Sequence, residues 1–298
     1  MKIRIGYGLG TRSQTNDRER LAALVDALEA HRFDSLWLSE RITGDCPDPL
    51  VAMSFAAGRT ERLKFGMSVM VLPGRNPMLL AKELATLDRL CDGRVLPAFG
   101  LGVVDPREQQ AFRVDRRARA SMFDEALPLL RRFWTEESVD HDGQHYQYEA
   151  ASVRPFPVQN PVEVWLGGTA DSALRRCGQS ADGWLPSFCT PDDVARGIPI
   201  INEHADKAGR EIEQEHFGVL FPYADGEVPE LFAALAAQRR PGIDPADMIA
   251  ADLSAAVELI ERYVAVGASK FVVIPVSEPH DWDAEISRVA EILKPLQN

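Results

Sequence analysis

Short apolar runs recur along this chain between longer stretches of helical periodicity, and this alternation limits its possible folds more than any other feature. A strand covered on both faces by helices reads as a continuous apolar run, whereas a half-solvated strand alternates. The runs fall at 3–8, 34–39, 63–71, 94–100, 162–166, 182–187, 216–222 and 270–276. Eight parallel strands, each followed by a helix, is the number that closes a barrel. Between them, Leu21, Leu24, Val25 and Leu28 share one helical face, as do Leu253, Val257, Ile260 and Val264, and Ile286, Val289, Leu293 and Leu296. A further helix carries Met122, Ala126, Leu129, Leu130 and Phe133, and Pro128 inside it predicts a kink.

The 298 residues, 45% of them hydrophobic, suit one such domain spanning 1–298 better than two smaller ones. The fold expected is therefore α/β, a (β/α)8 TIM barrel with two insertions. The first follows strand four. Its second half, 138–155, alternates around Asp142-Gly143, a hairpin signal. The second insertion, 222–245 near strand seven, is rich in Pro and Gly and reads as a lid or a poorly ordered loop.

Barrel enzymes carry their chemistry on the loops after the strands, so each strand end is a candidate. Strand two stops at Glu40-Arg41, a carboxylate beside a guanidinium; the pair reads either as a proton shuttle and substrate clamp or as an ion pair bracing the rim. Strand four ends at Gly100-Leu101-Gly102, where the glycines allow either close approach to a flat ligand or a tight turn. After strand five, Gly167-Gly168-Thr169 precedes a helix. It is either an anion cradle of backbone N–H groups or a plain strand-to-helix turn. Trp184 on strand six reads by residue type as core.

Other chemistries lack their parts. His141 and His145 flank the Asp-Gly turn and not a helix, and neither a His-Glu-x-x-His motif nor a Gly-x-Ser-x-Gly elbow is present, so no metal site is expected. Strand ends that offer glycines, aromatics and one carboxylate suit a bound cofactor that supplies the reactive atom. A formal charge of -12 disfavours nucleic acid and anionic membrane surfaces as partners. Four widely spaced cysteines and the lack of an apolar leader fit a cytoplasmic location.

The run from Pro73-Gly74-Arg75-Asn76-Pro77 through Ala81-Lys82, Thr86-Leu87-Asp88 and Gly93-Arg94 to Gly100-Leu101-Gly102 resembles the signature of luciferase-like monooxygenases. Trp165-Leu166-Gly167-Gly168 with Ala181-Asp182-Gly183-Trp184 is similar to a second signature of that family. The acidic residue after strand two and Met67-Ser68-Val69 resemble the branch using the deazaflavin coenzyme F-420. The resemblance implies an oxidoreductase moving a hydride to or from a small organic molecule, with a monooxygenase using reduced FMN and O2 as the alternative. Outside that class stand a non-catalytic flavin-binding protein and a non-redox phosphate-binding barrel.

The resemblance further implies a non-proline cis peptide at Ser68-Val69 supporting the ring, Gly167, Gly168 and Thr169 on the cofactor phosphate, and Gly100, Gly102 and Trp184 in the cofactor site. Glu40 is implied near the ring, and Arg41 stands where the family often has histidine. A homodimer involving the stretch 76–91 is expected by the same resemblance, with a flavin or deazaflavin reductase as a redox partner.

Overall fold

The computed structural model describes residues 1–298. The chain begins with β1 (Arg4–Leu9), α1 (Arg18–Ala30), β2 (Ser35–Leu38), α2 (Pro49–Ala57), β3 (Lys64–Met67), β4 (Met70–Val71), α3 (Pro77–Leu90), β5 (Val95–Leu96) and β6 (Ala98–Gly100). It continues through α4 (Pro106–Phe112), α5 (Arg119–Thr135), β7 (Val139–Asp142), β8 (Gln147–Ala151), β9 (Trp165–Leu166), α6 (Asp171–Ser180), β10 (Gly183–Trp184) and α7 (Pro191–Lys207). The last elements are β11 (Gly218–Tyr223), α8 (Glu230–Arg239), α9 (Leu253–Ala265), β12 (Lys270–Pro275) and α10 (Trp282–Leu293).

The eight expected barrel strands are all present, but two are cut in half. Strand three is interrupted between β3 and β4 by a cis peptide joining Ser68 to Val69, and strand four at Pro97, which has no N–H to give a ladder. Their lower halves join a six-stranded parallel sheet ordered β11-β12-β1-β2-β3-β5, and their upper halves a four-stranded sheet ordered β10-β9-β6-β4. Bridges from Trp184 to Phe217 and from Ser187 to Leu220 complete the circle.

Side chains alternate across the strands, so one set faces the helices and the other the lumen. The lumen set is Trp37, Leu96, Ala98, Trp165, Leu185, Leu220 and Val272. The rings of Trp37 and Trp165 meet edge to face at 6.0 Å. Glycine at 66 and 183 makes room, since a Cβ there would lie 2.3 Å from the Trp37 ring and 2.5 Å from that of Trp165. Below the two indoles, the Lys270 ammonium pairs with Asp34 at 2.6 Å and lies within 6 Å of both ring centres.

Helix starts follow their side chains. Asp17, Asn76, Thr190 and Asp281 each accept from first-turn N–H groups of α1, α3, α7 and α10. The expected hairpin is β7 paired antiparallel with β8. Pro128 does not end its helix, since α5 runs unbroken through it. The stretch near strand seven differs from its reading as a loop. It holds α8, tied by Arg240 to the Phe188 carbonyl at 2.7 Å and to Asp193 at 2.9 Å. Because Ala236 is the one buried residue of α8, the helix has no apolar stripe to read.

Candidate functional site

A cavity of about 890 Å³ opens at the carboxyl ends of the strands. Its floor is built around Val69. A Cβ on Gly100 would sit 2.5 Å from one Val69 methyl, and one on Gly167 would sit 3.9 Å from the other. The valine therefore lies between the glycines ending strand four and following strand five. Gly102, with φ +78, likewise faces Val71. These glycines make room for strand three after its break, so the close approach they allow is first of backbone to valine. Leu166, Leu185, Leu220 and Ile274 extend this apolar floor.

Glu40, Arg41, Ser68, Val69, Gly100, Gly102, Gly167 and Gly168 all line the cavity, as the strand-end reading expects. Glu40 and Arg41, however, do not pair with one another. Glu40, its side chain 2% exposed, accepts from the Val71 N–H at 2.8 Å and forms an ion pair with Arg75, whose Nε in turn donates to the Val71 carbonyl. Burial raises its pKa, and Arg75 and the Val71 N–H oppose that rise without cancelling it. Arg41 turns instead to Asp105 at 2.6 Å and Glu108 at 3.2 Å. Neighbours in sequence leave the strand end in different directions, and each finds a partner 35 or more residues away.

Two further expected residues lie outside the lining. Trp184 belongs to the helix-facing set of β10, fully buried, with Gly197 of α7 against its ring; its Nε1 donates to the Gly168 carbonyl at 2.9 Å. It braces the glycine turn from behind. The Thr169 carbonyl accepts from Arg196 at 2.6 Å, which holds that residue on the outer side of the turn. Arg196 also pairs with Asp171 at 2.7 Å, neutralising the acid in the first turn of α6.

The start of α6 has no side-chain cap, unlike those of α1, α3, α7 and α10; the Ala173 N–H donates to the Ala170 carbonyl at 2.8 Å, and those of Asp171 and Ser172 have no partner in the chain. Gly168 has φ +90, a left-handed geometry that suits glycine. An uncapped helix start after two glycines is a ready anion site.

Residue types at strand ends did not single out Arg75, Glu278 or Arg239. Arg75 stood inside the first signature, but its role depends on Glu40 across the strand. Glu278, after β12, lines the cavity. Its Oε1 accepts from Ser13 and Arg20, each at 3.3 Å, and from Thr15, while its Oε2 has no hydrogen-bond partner. The lining holds seven arginines against three glutamates, with no lysine, aspartate or histidine, so a chain of charge -12 turns a positive surface inward here. His141 and His145 are spent elsewhere, on Glu125 and Ser121.

Known proteins similar to this chain are found by sequence and by fold. The chain is 30% identical over 227 residues to an F420-dependent glucose-6-phosphate dehydrogenase of Segniliparus rotundus, covering 71% of this chain but 65% of the relative's length. A protein of the same name from Nocardia farcinica is 27% identical over 286 residues, 82% of this chain and 84% of its own. An F420-dependent secondary alcohol dehydrogenase, solved with an F420-acetone adduct, superposes with TM-score 0.82 at 20% identity over 100% of both chains. The FMN-bound oxygenating constituent of 3,6-diketocamphane monooxygenase from Pseudomonas putida superposes with TM-score 0.74 at 18% identity, over 100% of this chain and 99% of that one. The family model for luciferase-like monooxygenases matches residues 2–291. With its barrel closed around a strand-three break and its glycine turn set against an uncapped helix, the chain belongs to the luciferase-like monooxygenase family.

Proposed function

We propose that this barrel is an oxidoreductase that uses coenzyme F-420 to move a hydride to or from a small organic substrate. The observation that carries this reading is the floor: Val69 seated between Gly100 and Gly167 gives a flat apolar shelf beside an uncapped helix start. A tricyclic ring with a phosphate-bearing tail needs those two surfaces side by side. When bound, the deazaflavin supplies the site that accepts or delivers the hydride.

The chain's own residues do the rest. The N–H groups around Gly168 and the start of α6 hold the phosphate. Arg196 keeps Asp171 from repelling it. Glu40 is a positioning residue: with Arg75 it clamps Val71 and so sets the height of the Val69 shelf. Of the cavity carboxylates, Glu40 and Glu108 have both oxygens engaged, which leaves Glu278 Oε2 to take or return a proton on a substrate oxygen. Arg41, neutralised by Asp105 and Glu108, braces the loop that carries α4.

Titration with F-420, followed by quenching of its fluorescence, tests this reading. Saturable binding with no retained flavin absorbance near ~450 nm supports it. Tight FMN retention with no F-420 affinity would replace it with the FMN monooxygenase chemistry.

We further propose a homodimer through α3, where Leu79 and Leu90 are 64% and 77% exposed. Sedimentation velocity reads this directly, and a monomer at every concentration removes it.

A further inference from the structure

The positive lining is not uniform in how its charges are matched. Arg41 and Arg107 share Asp105, and Arg176 is paired with Asp124 on α5. Arg119 donates to the Gly102 carbonyl at 3.2 Å. Arg12, Arg116 and Arg239 are exposed and have neither a carboxylate nor a carbonyl, and of these three only Arg239, at the end of α8, lies over an aromatic ring. Its guanidinium lies over the Phe188 ring, 4.7 Å from the centre, and Phe188 stacks in turn on Phe232 at 6.3 Å with 28° between the planes. The stack Phe232, Phe188 and Arg239 forms the roof of the cavity, and all three line it. Arg240, next in sequence, is locked to Asp193 and the Phe188 carbonyl, so the backbone at the end of α8 is held in place.

An aromatic face orients a guanidinium but leaves its in-plane N–H fork unused, and that fork matches the two oxygens of a carboxylate or phosphate. Partial burial and the charge of Arg41 both disfavour the Arg239 cation, so its neighbours add repulsion and not relief. Pro222, Ile274 and Val276 line the same cavity and add apolar wall to it. The glycine turn of the phosphate cradle follows strand five, while Arg239 comes from the connection after strand seven, so the two cationic features of this cavity stand on separate connections.

We propose that Arg239 is the specificity-determining residue of the substrate chamber, gripping the carboxylate or phosphate of an anionic substrate whose apolar body lies between the roof and the Val69 shelf. This rests on the reading of the shelf as the cofactor seat. It deepens that reading by assigning the substrate class: an organic anion, in place of a neutral alcohol or aldehyde.

Benzoate and its neutral isostere benzamide are the probes, measured by thermal shift and calorimetry on the wild type, R239Q and R239K, with F-420 affinity measured separately by fluorescence quenching. The expected result is that benzoate binds the wild type at least tenfold more tightly than benzamide does. R239Q loses that preference, R239K keeps part of it, and F-420 affinity is the same in all three. Equal binding of the two probes by the wild type, or benzoate binding retained in R239Q, overturns the proposal. So does a loss of F-420 affinity in R239Q matching its loss of benzoate, which would make Arg239 a ligand of the cofactor tail. If F-420 fails to bind the wild type while the benzoate preference stands and depends on Arg239, the cofactor reading fails and the anion site survives.

Discussion

The two ends of the barrel treat charge in opposite ways. At the base, Lys270 and Asp34 are 3% and 7% exposed and satisfy each other, with two indoles above the ammonium and Ser35 donating to the carboxylate at 2.7 Å. Arg94, nearby, spends its guanidinium on the carbonyls of Leu63, Thr60 and Cys91. At the mouth, Glu278 keeps one oxygen without a partner, Arg239 keeps its whole fork, and α6 starts without a cap. A charge buried at the base needs its partner within the chain, whereas Arg239 is exposed and Glu278 half-buried at the mouth, so water can hold their free atoms until a ligand takes its place. The base is finished by the chain alone; the mouth is finished by what binds.

The largest test of this contrast is at the base. Lys270→Met leaves the Asp34 carboxylate buried with only the Ser35 hydroxyl at 2.7 Å and Arg4 at 3.9 Å, and removing the main partner of such a pair costs about 3–5 kcal/mol. Denaturant unfolding measures it. The pH dependence changes with it. Burial pushes the Asp34 carboxyl up, and Lys270, Lys64 and Ser35 outweigh burial and bring it to about 2. A depressed carboxyl stabilises the fold above its unfolded value near ~3.9, and that stability is lost as pH falls toward 2. The wild type should therefore weaken over that window. Lys270→Met should strengthen on acidification instead, because its Asp34 carboxylate, without the ammonium, is relieved by a proton. A wild-type acid profile in the variant would mean that the base is not built on this pair.

The smaller test is at the mouth. Glu278→Gln keeps the bonds from Ser13 and Arg20 while removing the proton acceptor, and loss of a general base typically lowers kcat about a hundredfold or more, roughly 2.7 kcal/mol of barrier. The melting temperature should hardly move. Unchanged turnover with a lowered melting temperature would place Glu278 with the finished charges of the base.

These ends also differ in how far the sequence reveals them. The eight strands were legible because each is an apolar run buried by helices, and their two interruptions fall within runs read as single strands. The glycine turn after strand five was visible from residue type at a strand end, while Ser68-Val69 stood out only through the family resemblance. Glu40 and Arg75 pair across 35 residues, and nothing in the order Leu38-Ser39-Glu40-Arg41 says which neighbour turns which way. Trp184 read as core by residue type and is fully buried in the helix-facing layer, and which face of a strand a residue takes turns on a one-residue change of parity. Helix α8 left no stripe because it packs over a cavity and not into the core, so Arg239 became a candidate only once the roof was in view.

The shallow anchoring of α8 has an evolutionary meaning. Its ten residues bury one alanine and are fastened chiefly through Arg240, so the barrel loses little if the segment is exchanged. The proposed cofactor seat lies on different connections, after strands three to five. Substrate preference in this lineage can therefore drift by replacing one surface cassette, while the redox chemistry beneath it is inherited unchanged.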